Sequence, residues 1–144
     1  MIRIGIIGFG KMGHIRAKAI EGSGLGKISQ IFDVHPIQDS KYECVSSPEY
    51  IFNDNNNDAI FICTPNHMNK KLTIEGLNAG KHIFCEKPPA FNESEVEEII
   101  EAEKLSNKKL MYGFNHRHHD SVMMMKKIVE KGTYGKILWM RGRY

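Results

Sequence analysis

The fold is decided by the first thirteen residues, in which Ile2-Arg3-Ile4-Gly5-Ile6-Ile7 runs directly into Gly8-Phe9-Gly10-Lys11-Met12-Gly13. The first segment is β-branched and apolar, which predicts a strand buried on both faces of a parallel sheet. The second segment matches the pattern G-x-G-x-x-G and leads into an amphipathic stretch, Lys11 to Glu21, that predicts a helix. Strand, glycine turn and helix in this order predict the corner at which the pyrophosphate of a dinucleotide binds.

Each glycine of this turn has its own part in that prediction. Gly8 would permit the tight turn, Gly10 would let the backbone approach the pyrophosphate, and Gly13 would let the helix pack close to the strand. The pyrophosphate would lie at the helix N-terminus, where free N–H groups and the helix dipole favour an anion. The predicted cofactor contacts are therefore the whole turn: Gly8, Phe9, Gly10, Lys11, Met12 and Gly13. The alternative is a structural turn that binds no ligand.

An acidic residue at the end of the second predicted strand, Lys27 to Asp33, bears on the choice of cofactor. Asp33 is placed to accept hydrogen bonds from a ribose diol, and its charge would repel a 2′-phosphate. No arginine follows it closely, so His35 and Lys41 are the nearby cationic candidates. NAD is therefore favoured over NADP, which stays an alternative, and Asp33 and His35 are predicted cofactor contacts. A turn or helix-capping role is the other interpretation of Asp33.

The rest of the chain alternates apolar runs with amphipathic stretches, which is the pattern of a parallel sheet covered by helices. The further predicted strands are Glu43 to Val45, Ala59 to Cys63, His82 to Cys85 and Leu110 to Phe114. Four helices are predicted. The first, Lys11 to Glu21, has Met12, Ile15 and Ala19 along one side, and the second, Met68 to Ala79, is closed by Gly80. The third, Asn92 to Leu105, is capped by Asn92 and has Val96, Ile99 and Ile100 facing inward, and the fourth is marked by Val122, Met125, Ile128 and Val129 and stops at Gly132. The sequence thus predicts an α/β fold, a Rossmann doubly wound parallel sheet with helices on both faces.

The last residues suggest that a second domain begins. Ile137 to Tyr144 alternates like the opening strand of another sheet, and no later segment can pair with it. We therefore expect a dinucleotide-binding domain over residues 1–118. Residues 119–144 would form a linker helix and the first strand of a truncated second domain. An edge strand added to the first sheet is the alternative.

Two polar segments follow predicted strands and are expected at the same edge of the sheet. Thr64-Pro65-Asn66-His67 comes after the strand next to the first one, so all four residues are predicted to line the ligand crevice. Capping of the next helix, by Asn66, is the alternative. Glu86-Lys87-Pro88-Pro89 follows the next strand. Lys87 can donate to a substrate hydroxyl, and partial desolvation would favour the neutral amine needed for proton transfer, whereas the alternative is an ion pair on a loop.

Other conspicuous side chains carry weaker signals. The run Asn115-His116-Arg117-His118-His119 has three histidines but no carboxylate or cysteine pattern that would complete a zinc site, so no metal site is predicted. Asn115 and Arg117 are instead expected to face the crevice. The run Met123-Met124-Met125 is expected to fill a core. Cys63 and Cys85 are interpreted as small buried apolar residues.

The composition narrows the class of protein. The chain has 144 residues, 41% hydrophobic and 26% charged, which is enough for one domain with its own core. No apolar run is long enough to cross a membrane, and a net charge of +3 is too small to indicate a nucleic-acid partner. Three cysteines without metal-like spacing indicate reduced thiols. Since no export leader is visible, a cytoplasmic location is expected.

Taken together, these segments resemble the Gfo/Idh/MocA family of glucose–fructose oxidoreductases and inositol dehydrogenases, and the resemblance covers the whole chain. It rests on the following segments: the glycine turn, Asp33, Thr64-Pro65-Asn66-His67, Ala79-Gly80-Lys81-His82, Glu86-Lys87-Pro88 and Gly113-Phe114-Asn115-His116-Arg117. The resemblance implies an NAD(P)-dependent oxidoreductase. It would transfer hydride between nicotinamide and a secondary hydroxyl of a sugar, sugar nucleotide or polyol.

The resemblance also implies roles for particular residues. Lys87 would be the catalytic lysine near the reacting hydroxyl, and Glu86 would lie beside the nicotinamide end. Asn69 stands where many relatives carry a second histidine, which puts a polar contact there in question. Family members continue into a large α/β domain that forms the other wall of the substrate site and usually the oligomer interface. We therefore expect little turnover from this chain alone, and a homo-oligomer for a full-length protein.

Two other functions stay open. The first is a non-catalytic sensor that binds the dinucleotide, against which the presence of Lys87 argues. The second is a methyltransferase that binds a nucleoside cofactor through a similar glycine loop. The segment Glu86-Lys87-Pro88 and the strand before Asn115 fit a methyltransferase poorly.

Overall fold

A computed structural model describes residues 1–38 and 40–142. The strands within these residues are β1 Ile2–Ile7, β2 Gly26–Phe32, β3 Glu43–Cys44, β4 Ala59–Ile62, β5 His82–Cys85 and β6 Leu110–Tyr112. The helices are α1 Lys11–Ser23, α2 Pro48–Asn53, α3 Asn66–Asn78, α4 Glu93–Ser106 and α5 Asp120–Lys131, with a 3-10 turn at Asn115–His118. The strands and helices predicted as far as Gly132 are thus confirmed, with ends shifted by at most two residues, and α2 is an addition.

The strands form one parallel sheet in the order β3-β2-β1-β4-β5-β6. The order reverses between β1 and β4, which confirms the predicted doubly wound Rossmann fold. Ile7 pairs with Phe32 on one side and with Ile62 on the other, so β1, β2 and β4 end at the same level. In such sheets ligands bind outside the carboxyl ends of the strands, at the point of reversal.

The chain divides into two compact units, the first ending at Gly113 and the second beginning at Phe114. The first contains the sheet and α1 to α4, and the second contains the 3-10 turn and α5. The predicted boundary lay after residue 118. No strand forms over residues 137–142, because an isolated strand leaves its backbone groups unpaired. Arg143 and Tyr144, the end of that predicted strand, lie outside the described residues, and a second domain stays a prediction.

The core of the first unit lies on both faces of the sheet. Ile7, Ile60 and Ile62 belong to one buried cluster, whereas Ile4 and Ile6 belong to the other. This alternation along β1 explains why its sequence is apolar throughout, since each residue faces a covered side. In the part of the chain that the structure describes, no helix is both long and apolar enough to cross a bilayer.

The buried faces of two helices differ in part from the apolar side identified on α1 and the inner face predicted for α4. On α1 the buried residues are Gly13, Ala17 and Ile20, not Met12, Ile15 and Ala19, of which Ile15 is 46% exposed. The cause is the contact at Gly13, where an ideal Cβ would lie 2.4 Å from the carbonyl oxygen of Gly8. That contact turns the helix so that Gly13 faces the strand.

On α4 the buried residues are Ile99 and Ala102, and Val96 is half-buried. Ile100, predicted to face inward, is 41% exposed. Successive residues lie about 100° apart around a helix, so Ile99 and Ile100 cannot both face the sheet. The predicted cap is confirmed, because the Asn92 side chain accepts a hydrogen bond of 3.0 Å from the N–H of Glu95.

The prediction that Met123, Met124 and Met125 fill a core was wrong. Their exposed fractions are 40%, 60% and 57%, and α5 has no buried residue. The second unit is too short to enclose a core of its own. The helix nevertheless ends where predicted, since Gly132 adopts a left-handed φ of 62°.

We expect Gly13→Ala to lower the free energy of unfolding by about 1–3 kcal/mol, because the added methyl group overlaps the carbonyl of Gly8. Gly22→Ala is the matched control on the same helix. An ideal Cβ at Gly22 meets nothing within 4 Å, so this change should raise the free energy of unfolding by about 0.5–1 kcal/mol. Urea unfolding of the three proteins measures both effects. Equal stability of the two variants would contradict the proposed contact.

Candidate cofactor site

A crevice of about 400 Å³ opens at the carboxyl ends of β1, β2 and β4. The residues that line it are Gly8, Gly10, Phe32, Asp33, Val34, His35, Cys63, Thr64, Pro65, His67 and Met68. Three segments predicted from sequence therefore meet there: the glycine turn, the loop after β2 and the loop after β4. Their meeting follows from the strand order, since β2 and β4 flank β1.

The glycine turn fits closely between its neighbours on one side and opens to space on the other. Gly8 has a φ of +88°, and an ideal Cβ there would lie 2.7 Å from the carbonyl carbon of Cys63. An ideal Cβ at Gly10 meets nothing within 4 Å. Among the described residues no side chain caps α1 at Gly10, so the amides of its first turn are available to a ligand. An anion such as a pyrophosphate fits this arrangement.

The crevice lining does not include the other turn residues Phe9, Lys11 and Met12. Phe9 is 7% exposed and packs in a core cluster, where its ring centroid lies 4.3 Å from that of His14 and 5.7 Å from that of Tyr42. Lys11 is exposed and Met12 half-buried, and neither is among the residues that line the crevice. The Phe9 side chain is therefore part of the core, and its N–H is bonded to Asp33.

Asp33 joins the glycine turn to the loop after β2. Its Oδ2 accepts a hydrogen bond of 2.6 Å from the N–H of Phe9, and its Oδ1 accepts one of 2.9 Å from the N–H of His35. The turn role that sequence left as an alternative is thus present. An ionised carboxylate accepts about four hydrogen bonds, and Asp33 lines the crevice, so it keeps capacity for a ribose diol.

Lys41, one of two cationic candidates for a 2′-phosphate, is engaged elsewhere. Its Nζ lies 2.8 Å from Oε1 of Glu21, and the Tyr42 hydroxyl donates to the same carboxylate at 2.9 Å. The hydrogen bond between Lys41 and Glu21 raises the pKa of the lysine and lowers that of the glutamate. Lys41 lines a separate pocket that also contains Phe9 and His14. Of the two candidates, His35 is the one that lines the crevice together with Asp33.

The loop after β4 enters α3 without the predicted cap. The helix begins at Asn66 with Pro65 in the capping position, and the carbonyl of Pro65 accepts a hydrogen bond of 3.0 Å from the N–H of Met68. Asn66 is therefore the first helical residue and does not cap, because its backbone is already helical. It lines a different pocket, between α3 and the segment before α4, and His67 borders both that pocket and the crevice.

Asn69 joins the loop after β4 to the loop after β5, a role that sequence reasoning missed. The residue is fully buried. Its Oδ1 accepts a hydrogen bond of 3.3 Å from Thr64, and its Nδ2 donates to the carbonyls of Glu86 at 3.0 Å and Pro88 at 2.8 Å. Whether Asn69 replaces the contact of the relatives' second histidine stays a question, but its amide has polar partners within this chain. Its partners lie on two loops that approach each other only in the fold.

Glu86 is paired with Arg16 of α1, a second contact that the sequence did not indicate. The Glu86 Oε1 lies 2.7 Å from Nε and 2.5 Å from Nη2 of Arg16, and the two side chains are 10% and 15% exposed. Gly113 leaves room for this carboxylate, since an ideal Cβ there would lie 2.9 Å from Oε2 of Glu86.

Lys87 projects from the same loop into solvent. Its side chain is exposed, so the expected desolvation is not found in this chain. The alternative of an ion pair with its neighbour is not found either, because Glu86 pairs with Arg16 and no described acid lies within ion-pair distance of Lys87. The Lys87–Pro88 peptide bond is cis.

The two cysteines near the strand ends are protonated. Burial raises the pKa of the Cys63 thiol to about 12 and that of the Cys85 thiol to about 12. Thiols rather than thiolates are present at neutral pH, which agrees with an apolar packing role and not with nucleophilic chemistry.

The histidine run lies in the second unit. The rings of His116 and His119 stack with centroids 4.9 Å apart, and the guanidinium carbon of Arg117 lies 5.7 Å from the ring centroid of Phe114. Within residues 1–38 and 40–142, no group of three His, Cys, Asp or Glu side chains is arranged to hold a metal ion. The predicted contact of Asn115 and Arg117 with the crevice stays a prediction.

Comparison with known proteins agrees with this geometry. A family model described as an oxidoreductase family with an NAD-binding Rossmann fold matches residues 2–114. Myo-inositol 2-dehydrogenase of Thermotoga maritima is 34% identical over 143 residues, which cover 94% of this chain and 42% of that protein. Levoglucosan dehydrogenase of Pseudarthrobacter phenanthrenivorans is 39% identical over 94 residues, which cover 65% of this chain and 24% of that protein.

Among solved structures, scyllo-inositol dehydrogenase from Lactobacillus casei with bound NAD(H) and scyllo-inositol has a TM-score of 0.87 and 29% identity. The match covers 95% of this chain and 43% of that structure. The chain therefore spans less than half the length of these relatives.

We expect Asn69→Ala to lower the free energy of unfolding by about 1–3 kcal/mol, because the carbonyls of Glu86 and Pro88 lose the hydrogen bonds that the buried Asn69 amide donates. Asn78→Ala is the matched control, since Asn78 is exposed at the other end of α3, and it should stay within about 0.5 kcal/mol of the parent. Urea unfolding measures both. A stability of Asn69→Ala equal to that of the control would show that the amide does not join the two loops.

Proposed function

The chain belongs to the Gfo/Idh/MocA oxidoreductase family, and we propose that its crevice binds NAD with the pyrophosphate at the N-terminus of α1. The observation that carries the proposal is the geometry of Gly10. Gly10 occupies the capping position of α1 without a side-chain cap, and the space in front of it is open while Gly8 and Gly13 are closely packed. Such a position favours an anion that approaches the backbone closely.

The strand order indicates how the cofactor would lie. A dinucleotide crosses the point of reversal with one nucleotide on each half of the sheet. The adenosine ribose would meet Asp33 beside β2, and the nicotinamide half would extend toward the loops after β4 and β5, where Thr64, Glu86 and Lys87 stand. When bound, the nicotinamide supplies the hydride chemistry, whereas the chain supplies placement and charge.

The choice of NAD over NADP is supported by two charges. The carboxylate of Asp33 lines the crevice and would repel a 2′-phosphate. Lys41, which could have neutralised such a phosphate, pairs with Glu21. NADP binding would leave the phosphate with His35 as its nearby cationic partner.

The proposed reaction of the whole protein is oxidation or reduction at a secondary hydroxyl of a sugar or polyol. The family and the names of the relatives support this class, since they include dehydrogenases of inositols and of levoglucosan. Lys87 would hold or move a proton at the reacting oxygen, and its exposed side chain leaves it accessible to a substrate. The chain spans less than half of these relatives, so turnover is expected to need further sequence.

Two further expectations belong to the whole protein. Assembly as a homo-oligomer through a further domain stays a prediction. A cytoplasmic location is proposed because Cys44, Cys63 and Cys85 are all free, as is typical of a reducing compartment. Family membership sets aside the methyltransferase alternative, and a non-catalytic sensor would share the cofactor site but show no turnover with any polyol.

We expect Gly10→Ala to weaken NADH binding about tenfold or more, because a methyl group would occupy the space proposed for the pyrophosphate. The variant should fold normally, since the methyl group meets no protein atom within 4 Å. Fluorescence titration with NADH measures the affinity, and thermal unfolding checks the fold. Gly22→Ala should bind NADH like the parent. Unchanged affinity of Gly10→Ala would move the pyrophosphate away from α1.

We expect Asp33→Ala to weaken NAD more than NADP, so that the ratio of the two dissociation constants shifts toward NADP. The loss of the hydrogen bond from Phe9 would loosen the turn for both cofactors, and the ratio therefore isolates the contact with the ribose. Competition against NADH fluorescence measures both constants. Lys41→Ala is the control and should leave the ratio unchanged. An unchanged ratio in Asp33→Ala would remove Asp33 from the ribose site.

A further inference from the structure

Glu86 is fixed through both its backbone and its side chain. Its N–H donates to the carbonyl of Ile62 at 2.9 Å, and its own carbonyl accepts from Asn69 at 3.0 Å. Its Oε1 accepts a hydrogen bond from Nε of Arg16 and lies within ion-pair distance of Nη2 of the same residue. The residue directly precedes Lys87, so the orientation of Glu86 sets where the chain leaves β5 and where Lys87 stands.

Arg16 reaches this position from α1. Its guanidinium carbon lies 4.8 Å from the ring centroid of Phe84, which in turn stacks on Phe61 with centroids 4.7 Å apart. The side chain is 15% exposed and is not among the residues that line the crevice. Arg16 therefore sits beneath the loop after β5 and meets it through the carboxylate of Glu86.

The carboxylate is also confined from the side of β6. An ideal Cβ at Gly113 would lie 2.9 Å from Oε2 and 3.2 Å from the carboxyl carbon of Glu86. Three elements thus define the place of Glu86: α1 and the end of β6 confine its carboxylate, and α3 holds its backbone carbonyl through Asn69. A loop that only connected β5 to α4 would not need so many contacts to fix its position.

A nearly buried ion pair is weak evidence for a role in stability. Removing two charges from water offsets much of their attraction, and apolar residues of similar size often stabilise a protein equally well. What the pair adds is direction, because Nε and Nη2 of the rigid guanidinium both approach Oε1 of Glu86 and so fix where that oxygen lies. Here it joins the helix that would hold the pyrophosphate to the loop that carries Lys87.

We propose that Arg16, acting through Glu86, is a positioning residue for the nicotinamide half of the site. It sets the place of the loop at Glu86 and Lys87 relative to α1, and it contacts neither cofactor nor substrate. The proposal rests on the proposed function, since it needs a dinucleotide bound across the crevice. It differs from a stabilising role in one respect: the adenosine and diphosphate contacts should not depend on Arg16.

The test compares two ligands on this chain by calorimetry, NADH and ADP-ribose, which keeps the diphosphate and both riboses but lacks nicotinamide. We expect Arg16→Gln to weaken NADH about tenfold and to leave ADP-ribose within about twofold of the parent. Arg16→Lys, which keeps the charge, should recover part of the NADH affinity. Lys18→Gln, an exposed change on the same helix, should alter neither ligand.

A second pair of variants tests whether Arg16 acts through Glu86. In a Glu86→Gln background, Arg16→Gln should cause no further loss of NADH affinity. An equal loss of both ligands in Arg16→Gln, or no loss of either, would overturn the proposal, as would a full additional loss in the double variant. If Arg16→Gln fails to fold, the same comparison of NADH and ADP-ribose affinities is made with Arg16→Lys. A parent that binds neither NADH nor ADP-ribose would instead refute the cofactor site itself.

Discussion

The site depends on the close approach of α1 to the end of β1. Gly13 lies against the carbonyl of Gly8, and Gly8 lies against the backbone that follows β4. These two contacts leave no room for a side chain at Gly8 or Gly13. They place the uncapped N-terminus of α1 at the point where the strand order reverses. The crevice exists because β2 and β4 end level with β1 on either side of that helix end. A wider turn would separate the helix from both neighbouring loops.

Around that helix end, each half of the site is held by a different kind of bond. On the side of β2, the carboxylate of Asp33 accepts from two backbone amides and joins the turn to the next loop. On the side of β5, the buried amide of Asn69 joins α3 to the loop after β5, and the ion pair between Arg16 and Glu86 joins α1 to the same loop. Polar groups with several donors or acceptors serve here because each has to satisfy two segments at once.

The sheet, its order and the glycine turn could be predicted because their signals are local: an apolar run, a spacing of glycines and a stop residue. The buried face of α1 could not, because Met12 and Ile15 are more apolar than Gly13, yet the contact at Gly13 decides which side faces in. The partners of Asn69 and Arg16 are separated from them by 17 and 70 residues, so no window of sequence contains the pair. The short helix α2 had a usable signal, a proline in its first turn followed by Glu49.

Phe9, between the first two glycines of the turn, contacts both the core and the edge of the crevice. Its ring is part of the hydrocarbon cluster under α1, whereas its amide is tied to the carboxylate beside the crevice. Cofactor binding in the crevice and the packing of that cluster are therefore thermodynamically coupled. A bound cofactor should slow amide hydrogen exchange in α1 on the face opposite the ligand, and expansion of the cluster on heating should weaken the cofactor before the sheet melts.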